Sequence, residues 1–373
     1  MKRVIRRFIR YVNLGFALLL LLSFLSPNLS PAMVWGPSFL GLAYPYILLL
    51  NGLFMIFWIV MKKREFFISF LAILLGWHTL TRYVSLHPGA IFNAAYYREL
   101  TPEQRKEEGQ LKVMSFNVRS FNQYQWAENP SAREDIIRML QNEDPDILCL
   151  QEFYSSERGP FRSGDFFRSL SRTPHHHLLY RASRGRNKYG IAIFSHYPIV
   201  GKGEVEISGT RNICSFADIR TGNDTIRIYN MHLQSTRLNS RHYRFIDSLK
   251  FRYDNQQMEE IKDISLRLRD AFIIRAGQAD RIAEHIGRCT HPMIVCGDFN
   301  DTPVSYSYHR ISKGLGDAFV ESGIGMGRTY DGKFPSFRID YILCSKDLET
   351  LHFTRKKVRL SDHFPITAYL KIP

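Results

Sequence analysis

The stretch PMIVCGDFNDTP, Pro292 to Pro303, places two carboxylates and an amide within four positions: Asp298, Asn300 and Asp301. The apolar run Met293–Cys296 before them is short, β-rich and closed by glycine, which predicts a buried strand. The carboxyl ends of strands in α/β sheets are common places for function. Asp and Asn also cap turns, so this motif alone decides nothing. Five further runs behave the same way. SFNVR supplies Asn117, LQEF supplies Glu152, YNMHLQS supplies Asn230 and His232, RIDYIL supplies Asp340, and LSDHFP supplies Asp362 and His363. Buried polar groups at this density need partners or a ligand.

Phosphoester hydrolysis is the chemistry these types suit. Oxygen donors such as Glu152, Asn117 and Asp362 fit Mg²⁺ or Mn²⁺, and no cysteine cluster suggests structural zinc. Two imidazoles can donate to phosphoryl oxygens as charge builds. One carboxylate beside an imidazole orients it and raises its basicity, and another can deprotonate the attacking water.

Taken in order, GDFN, the later RIDYI and the terminal SDHFP resemble the endonuclease/exonuclease/phosphatase superfamily over about Leu111 to Pro373. The resemblance implies an α/β fold, a four-layer sandwich of two mixed β-sheets flanked by helices. It also implies roles. Glu152 binds the metal with Asn117 beside it, and Asp362 belongs to the metal side. Asp298 orients and activates water, while Asn300 holds the phosphate. His363 contacts the scissile phosphate and pairs with Asp340. His232 stands at the NxHL position, with Asn230 next to it as a substrate-binding residue. A catalytically silent binding domain of the same fold is the rival expectation, and the complete set of acids and both histidines argues against it.

The elements that must position these groups are short β-like runs from Leu111 onward, with helical patterns between some of them, notably Arg133–Gln141 and Asp270–Arg288. That mixture predicts α/β layers, and adjacent strands without intervening helices exclude a purely parallel sheet. Polar, basic and aromatic residues at 236–269 read as an insertion. Other residues keep two readings. Tyr189 and Gly190 touch substrate or belong to the core. Arg275 and Gln278 brace the site or face solvent. Asp301 caps the next helix, Tyr306 and Tyr308 pack rather than stack on bases, and His175–His177 mark a surface-to-strand transition rather than a metal site. Gly323–Gly327 is expected to be a mobile loop.

Three apolar runs precede this domain: Tyr11–Leu25, Phe39–Met61 and Phe66–Tyr83. They predict about three transmembrane helices in a region 1–85, joined by a linker 86–110 to a catalytic domain 111–373. Residues 1–110 carry 12 basic and 5 acidic side chains, a net of +7 out of the chain's +15. Lys2, Arg3, Arg6, Arg7 and Arg10 precede the first run, and Lys62, Lys63 and Arg64 follow the second. Positive-inside counting therefore puts the N-terminus in the cytoplasm and the catalytic domain outside it, which is the periplasm in a Gram-negative cell. The remaining +8 suits an anionic substrate without specifying one, so nucleic acid, lipid head group and sugar phosphate all stay open. Five cysteines without a CxxC pair read as free thiols, with Cys149, Cys296 and Cys344 in apolar strand-like runs.

Overall fold

The structure is a computed structural model that describes residues 2–124, 129–159, 161–170, 172–207, 213–238, 240–247, 255–331 and 337–372. Alternation of apolar residues along each strand builds the sandwich. One six-stranded sheet holds β1 (Gln110–Asn117), β2 (Ile147–Ser156), β3 (His175–Arg184), β4 (Asn187–Ser195) and, from the chain's end, two further strands. The other holds β5 (Ile199–Glu204), β6 (Ile213–Thr221), β7 (Asp224–His232), β8 (Met293–Asp298), β9 (Gly316–Asp317) and β10 (Asp340–Cys344). With β11 (Glu349–Arg355) and β12 (Ile366–Lys371), the strand orders are β11-β12-β1-β2-β4-β3 and β9-β10-β8-β7-β6-β5. Each sheet is antiparallel except for one pair near its centre, β1 with β2 and β7 with β8. Both sheets are therefore mixed, as expected.

The inner faces meet through Leu111, Val113, Ile147, Cys149, Ile226, Ile228, Ile294, Cys296, Ile342 and Ile366, alternate residues on their strands. Burying each aliphatic side chain stabilises the fold by roughly 1.5–3 kcal/mol. A helix covers each outer face. After three helices near the N-terminus and α4 (Pro102–Glu107), helix α5 (Ala132–Glu143) packs Ile136, Met139 and Leu140 on Met114, Leu148 and Leu150. On the other side α6 (Asn255–Gly287) packs Ala279, Ile282 and Ile286 on Tyr229, Met231 and Val295. It is longer than the predicted helix because it begins inside the presumed insertion, of which residues 239 and 248–254 lie outside the described residues. All five cysteines are free thiols, and only Cys289 is not buried.

The three N-terminal helices, α1 (Lys2–Ser23), α2 (Gly36–Val60) and α3 (Phe66–Leu75), form a bundle built the other way round. Asn13, Asn51 and Ser69 are fully buried, whereas Phe8, Leu53, Ile56, Leu71 and Leu75 are exposed. The expectation of about three spans needs correcting: among the described residues, only α2 is long and apolar enough to cross a membrane. Five basic side chains occupy the first ten residues of α1, and α3 stops after ten residues at Gly76. The segment after the bundle is mostly exposed and includes a short helix, and contacts tie it to the sandwich. Leu86 pairs with Ile324 in a short antiparallel ladder, so the glycine-rich stretch 323–327 is partly strand. Helix α4 carries a capping box, and its Arg105 is buried against Asp146 at 2.9 Å.

Candidate active site

Followed toward one end of the sandwich, the inner-face positions of the central strands change from apolar to polar. On β7 the series Ile226, Ile228 continues as Asn230 and His232; on β8, Ile294 and Cys296 lead to Asp298; on β10, Ile342 leads back to Asp340; on β1, Leu111 and Val113 lead through Ser115 to Asn117. The alternation that builds the core thus delivers the site. Asp298 is the register partner of His232 on one side and Asp340 on the other, so three candidate side chains stand in a row across β7, β8 and β10. Gly297 makes this approach feasible. Its φ is +145°, and a Cβ there would lie 2.1 Å from the Met231 carbonyl oxygen.

Glu152 reaches the site by another route. Simple alternation after Leu148 and Leu150 would turn it to the outer face. The β2–β4 register shifts between Leu150 and Phe153, and Glu152 adopts φ +49°, which re-aims its carboxylate inward. The acid is 37% exposed, with Asn117 Nδ2 3.4 Å and His232 Nε2 3.8 Å from its Oε1. Asn117 donates at 3.0 Å to Asp298, which also accepts the Asn300 backbone N–H at 2.8 Å. Asn300 sits at φ +52°, so a left-handed turn, not an extended segment, brings it beside Asp298. Its side-chain amide is anchored on the Leu233 carbonyl at 3.0 Å.

His363 Nδ1 lies 2.9 Å from Asp340, and its Nε2 is 3.7 Å from Asp298; His232 Nε2 is 3.6 Å from Asp298. Two imidazole edges therefore face one carboxylate just beyond hydrogen-bonding distance, and the buried His232 Nε2 has no hydrogen-bond partner among the described residues. Burial pushes the Asp298 carboxyl up to about 6; Asp340 adds to the rise, and the two histidines restrain it. Burial opposes charge on His363, but Asp340 and Asp298 outweigh it and hold the imidazole up at about 10.

Asp298, Asp340 and His363 also form the tightest group of metal-capable atoms among the described residues, all within 4.8 Å of one another. Their atoms are largely committed, because Asp340 holds His363 and Asp298 accepts two N–H donors. Glu152 suits a hard cation better, as a partly exposed oxygen donor facing an unsatisfied imidazole. Asn117 stands beside it, and Asp362 lies at the same rim with its carboxylate 3.1 Å from Arg119.

Two expectations need correcting. Asn230 does not reach the substrate face: it is fully buried one layer inside, donates to the Leu150 and Ala192 carbonyls and accepts from Gln151 at 2.7 Å. These bonds tie the sheets together and seal the core below the site. Asp301 caps no helix; Ser305 caps α7 (Tyr306–Ile311). Asp301 instead forms a buried pair with Arg275 at 3.0 Å. Arg275 also holds the Gln234 carbonyl, and Gln278 holds the Gln234 N–H, so both brace the turn after His232. Tyr308 is buried, the Tyr189 hydroxyl meets that of Tyr124, and His175–His177 open β3.

Sequence reasoning missed Arg119, Thr329, Tyr330 and Ser361. Four successive residues, Arg119 to Asn122, have positive φ, a strained run that follows Asn117 and carries Arg119 to Asp362. Thr329 Oγ1 accepts the backbone N–H groups of Ile339 and Asp340, and the Tyr330 ring meets His363 edge-on at 5.1 Å. Ser361 donates at 2.8 Å to the Asn117 carbonyl. The only local signal for any of them was proximity to a motif.

Comparisons with known proteins bear on the family and the fold. The family described as "Endonuclease/Exonuclease/phosphatase family" matches residues 114–363, and a family described as a domain of unknown function, DUF8431, matches residues 6–83. No curated protein matches at a significant level. Among solved structures, an endonuclease/exonuclease/phosphatase from Beutenbergia cavernae is 15% identical over 70% of this chain and 72% of its own, with a TM-score of 0.51. The human Nocturnin catalytic domain with bound sulfate is 17% identical over 71% of this chain and 96% of its own, also at 0.51. A mannosyl-6-phosphatase from Bacteroides thetaiotaomicron is 20% identical over 70% and 99%, at 0.46. At these identities the likeness is one of fold.

Proposed function

The chain belongs to the endonuclease/exonuclease/phosphatase family, whose members are phosphoesterases, and from that premise we propose that it is a membrane-anchored, metal-dependent hydrolase of a phosphodiester or phosphomonoester. The observation that carries this is the row His232–Asp298–Asp340 with His363, Asn117 and Glu152 closing over it. Asp298, oriented by the Asn300 N–H and the Asn117 amide, takes a proton from the attacking water. Asp340 fixes His363 so that Nε2 faces the reacting phosphate, and His232 offers a second edge. Asn300 contributes a polar contact to the phosphate. Glu152, Asn117 and Asp362 are the residues that would hold Mg²⁺ or Mn²⁺. Such a cation would supply positive charge for the phosphoryl oxygens.

The experiment is hydrolysis of bis-(p-nitrophenyl) phosphate by the full chain. Excess EDTA is expected to abolish turnover and Mg²⁺ or Mn²⁺ to restore it, and Glu152→Gln should lower it by about 10²-fold or more with the fold intact. Full activity in EDTA would exclude metal dependence.

The anchoring reading is supported by α2 and by the inside-out bundle, with polar residues buried and apolar ones exposed. Orientation is supported by where the charges lie. Arg6 pairs with Glu65 at the basic end of the bundle, while the opposite end, at Gly41 and Tyr44, meets the sandwich. The basic end would face the cytoplasm and the catalytic domain the other side. A reporter active only outside the cytoplasm, fused after Pro373, should be active; a fusion active only inside reverses the orientation.

A further inference from the structure

The catalytic loop does not end in solvent. Four residues after Asn300, Val304 is buried among Ala17, Leu20, Tyr44, Ile47 and Tyr83 of the bundle. Helix α2 meets this loop backbone to backbone: a Cβ on Gly41 would lie 2.7 Å from the Val304 carbonyl oxygen. Four residues span at most about 14 Å of chain, so Asn300 lies within that distance of Val304, which the end turns of the bundle surround. The approach to Asp340 is held in the same way. Arg338 donates at 2.8 Å to the Arg82 carbonyl, and Phe337 packs edge-on against Tyr46 of α2. Both strands that present the catalytic carboxylates, β8 and β10, are thus fastened to the bundle at their catalytic ends.

A second surface begins at the same level. Half-exposed Trp35 packs on Phe39, and Phe39 packs on Phe272 of α6 at 5.3 Å. Tryptophan at the end of an apolar helix suits the membrane–water interface. From Phe272, a stripe runs back along α6 through Leu268, Ile264, Ile261 and Met258, at three- and four-residue spacing. Burial declines along it: Phe272 is buried, Leu268 and Ile264 are half-buried, and Ile261 and Met258 are 43% and 54% exposed. Lys262 and Arg269 flank it. An apolar stripe continuous with the bundle's contact fits the surface of a bilayer.

We propose that the substrate is a phosphoester in the head group of a lipid in the same bilayer, reached by lateral diffusion. This rests on the phosphoesterase reading of the site. In the step, the water oxygen bonds to phosphorus, one phosphorus–oxygen ester bond breaks, and the proton taken from water is balanced by one delivered to the leaving alkoxide. The products are an alcohol and a phosphate with one ester bond fewer.

The test uses the full chain reconstituted in vesicles of phosphatidylethanolamine and phosphatidylglycerol with a little phosphatidic acid. Phosphorus NMR follows the products, and bis-(p-nitrophenyl) phosphate is the soluble control. Vesicle lipid should be hydrolysed. The rate should fall in proportion to mole fraction when the phospholipid is diluted with a phosphorus-free galactolipid at constant bulk concentration. The double variant Met258→Glu/Ile261→Glu should lose about tenfold on vesicles while keeping its rate on the soluble diester. Hydrolysis of the soluble diester without hydrolysis of vesicle lipid, or with no dependence on dilution, overturns the lipid assignment and leaves the phosphoesterase reading standing. No turnover of either substrate overturns both. A double variant that loses both activities alike assigns the stripe to folding and overturns its role at the surface.

Discussion

Two regions of this molecule bury polar side chains, and they do so to opposite ends. In the helix bundle, Asn13 donates to Ser69 at 2.6 Å, Ser69 to Asn51 at 3.0 Å, Trp58 to Asn13 at 3.0 Å, and Asn51 to two helix carbonyls. The groups are neutral and supply one another's hydrogen bonds. At the end of the sandwich the groups are ionisable, and the set is left open. His232 Nε2 lacks a hydrogen-bond partner among the described residues, two imidazole edges stop short of Asp298, and the Asp298 carboxyl is pushed up by burial. A closed neutral network holds three helices in one register. An open charged one leaves room for water and phosphate. Burial of a polar residue therefore does not mark function by itself; an unmet hydrogen-bonding capacity beside a shifted carboxylate does.

Substitutions can break this contrast, beginning with the largest expected effect. Asp298→Asn keeps shape and removes the base, so turnover of a soluble diester should fall by about 10²- to 10⁴-fold with an unchanged circular dichroism spectrum. An active Asp298→Asn enzyme would mean that the open network is not the catalytic one. Asp301, three positions on, belongs with the closed kind. Asp301→Ala strands the buried Arg275 and should cost about 3–5 kcal/mol of stability. Its denaturation midpoint should drop, while the folded protein still turns over substrate; a stable, inactive Asp301→Ala protein would reverse the two assignments. The smallest effect is expected in the bundle. Asn51→Leu should cost roughly 0.6–1.7 kcal/mol, the range for interhelical hydrogen bonds in membranes, and should leave soluble-diester turnover alone. A thermal melt followed by residual activity separates these outcomes.

Much of the site was legible because strand alternation is a local property. His232, Asp298 and Asp340 continue the parity of Ile228, Cys296 and Ile342, so their shared face follows from the order of residues. The same parity misplaces Glu152, whose position depends on a bulge and a left-handed backbone that no apolar pattern announces. Asn230 has the correct parity and the wrong depth: one residue pair along the strand separates a group at the site from a group sealing the core.

The sequence by itself determined the strand and helix types of the core, the identities of the acids, amides and histidines, and the asymmetry of charge around the apolar runs. Each of these depends on neighbours within a few residues. The tertiary structure alone decided what meets across long chain separations. It paired Asp301 with Arg275, set Tyr330 against His363, turned the N-terminal helices inside out and seated Val304 of the loop after Asp298 among them. Those contacts arise from how sheets, bulge and bundle pack in three dimensions. Packing depends on shape and on competing partners, and no periodicity along the chain encodes either.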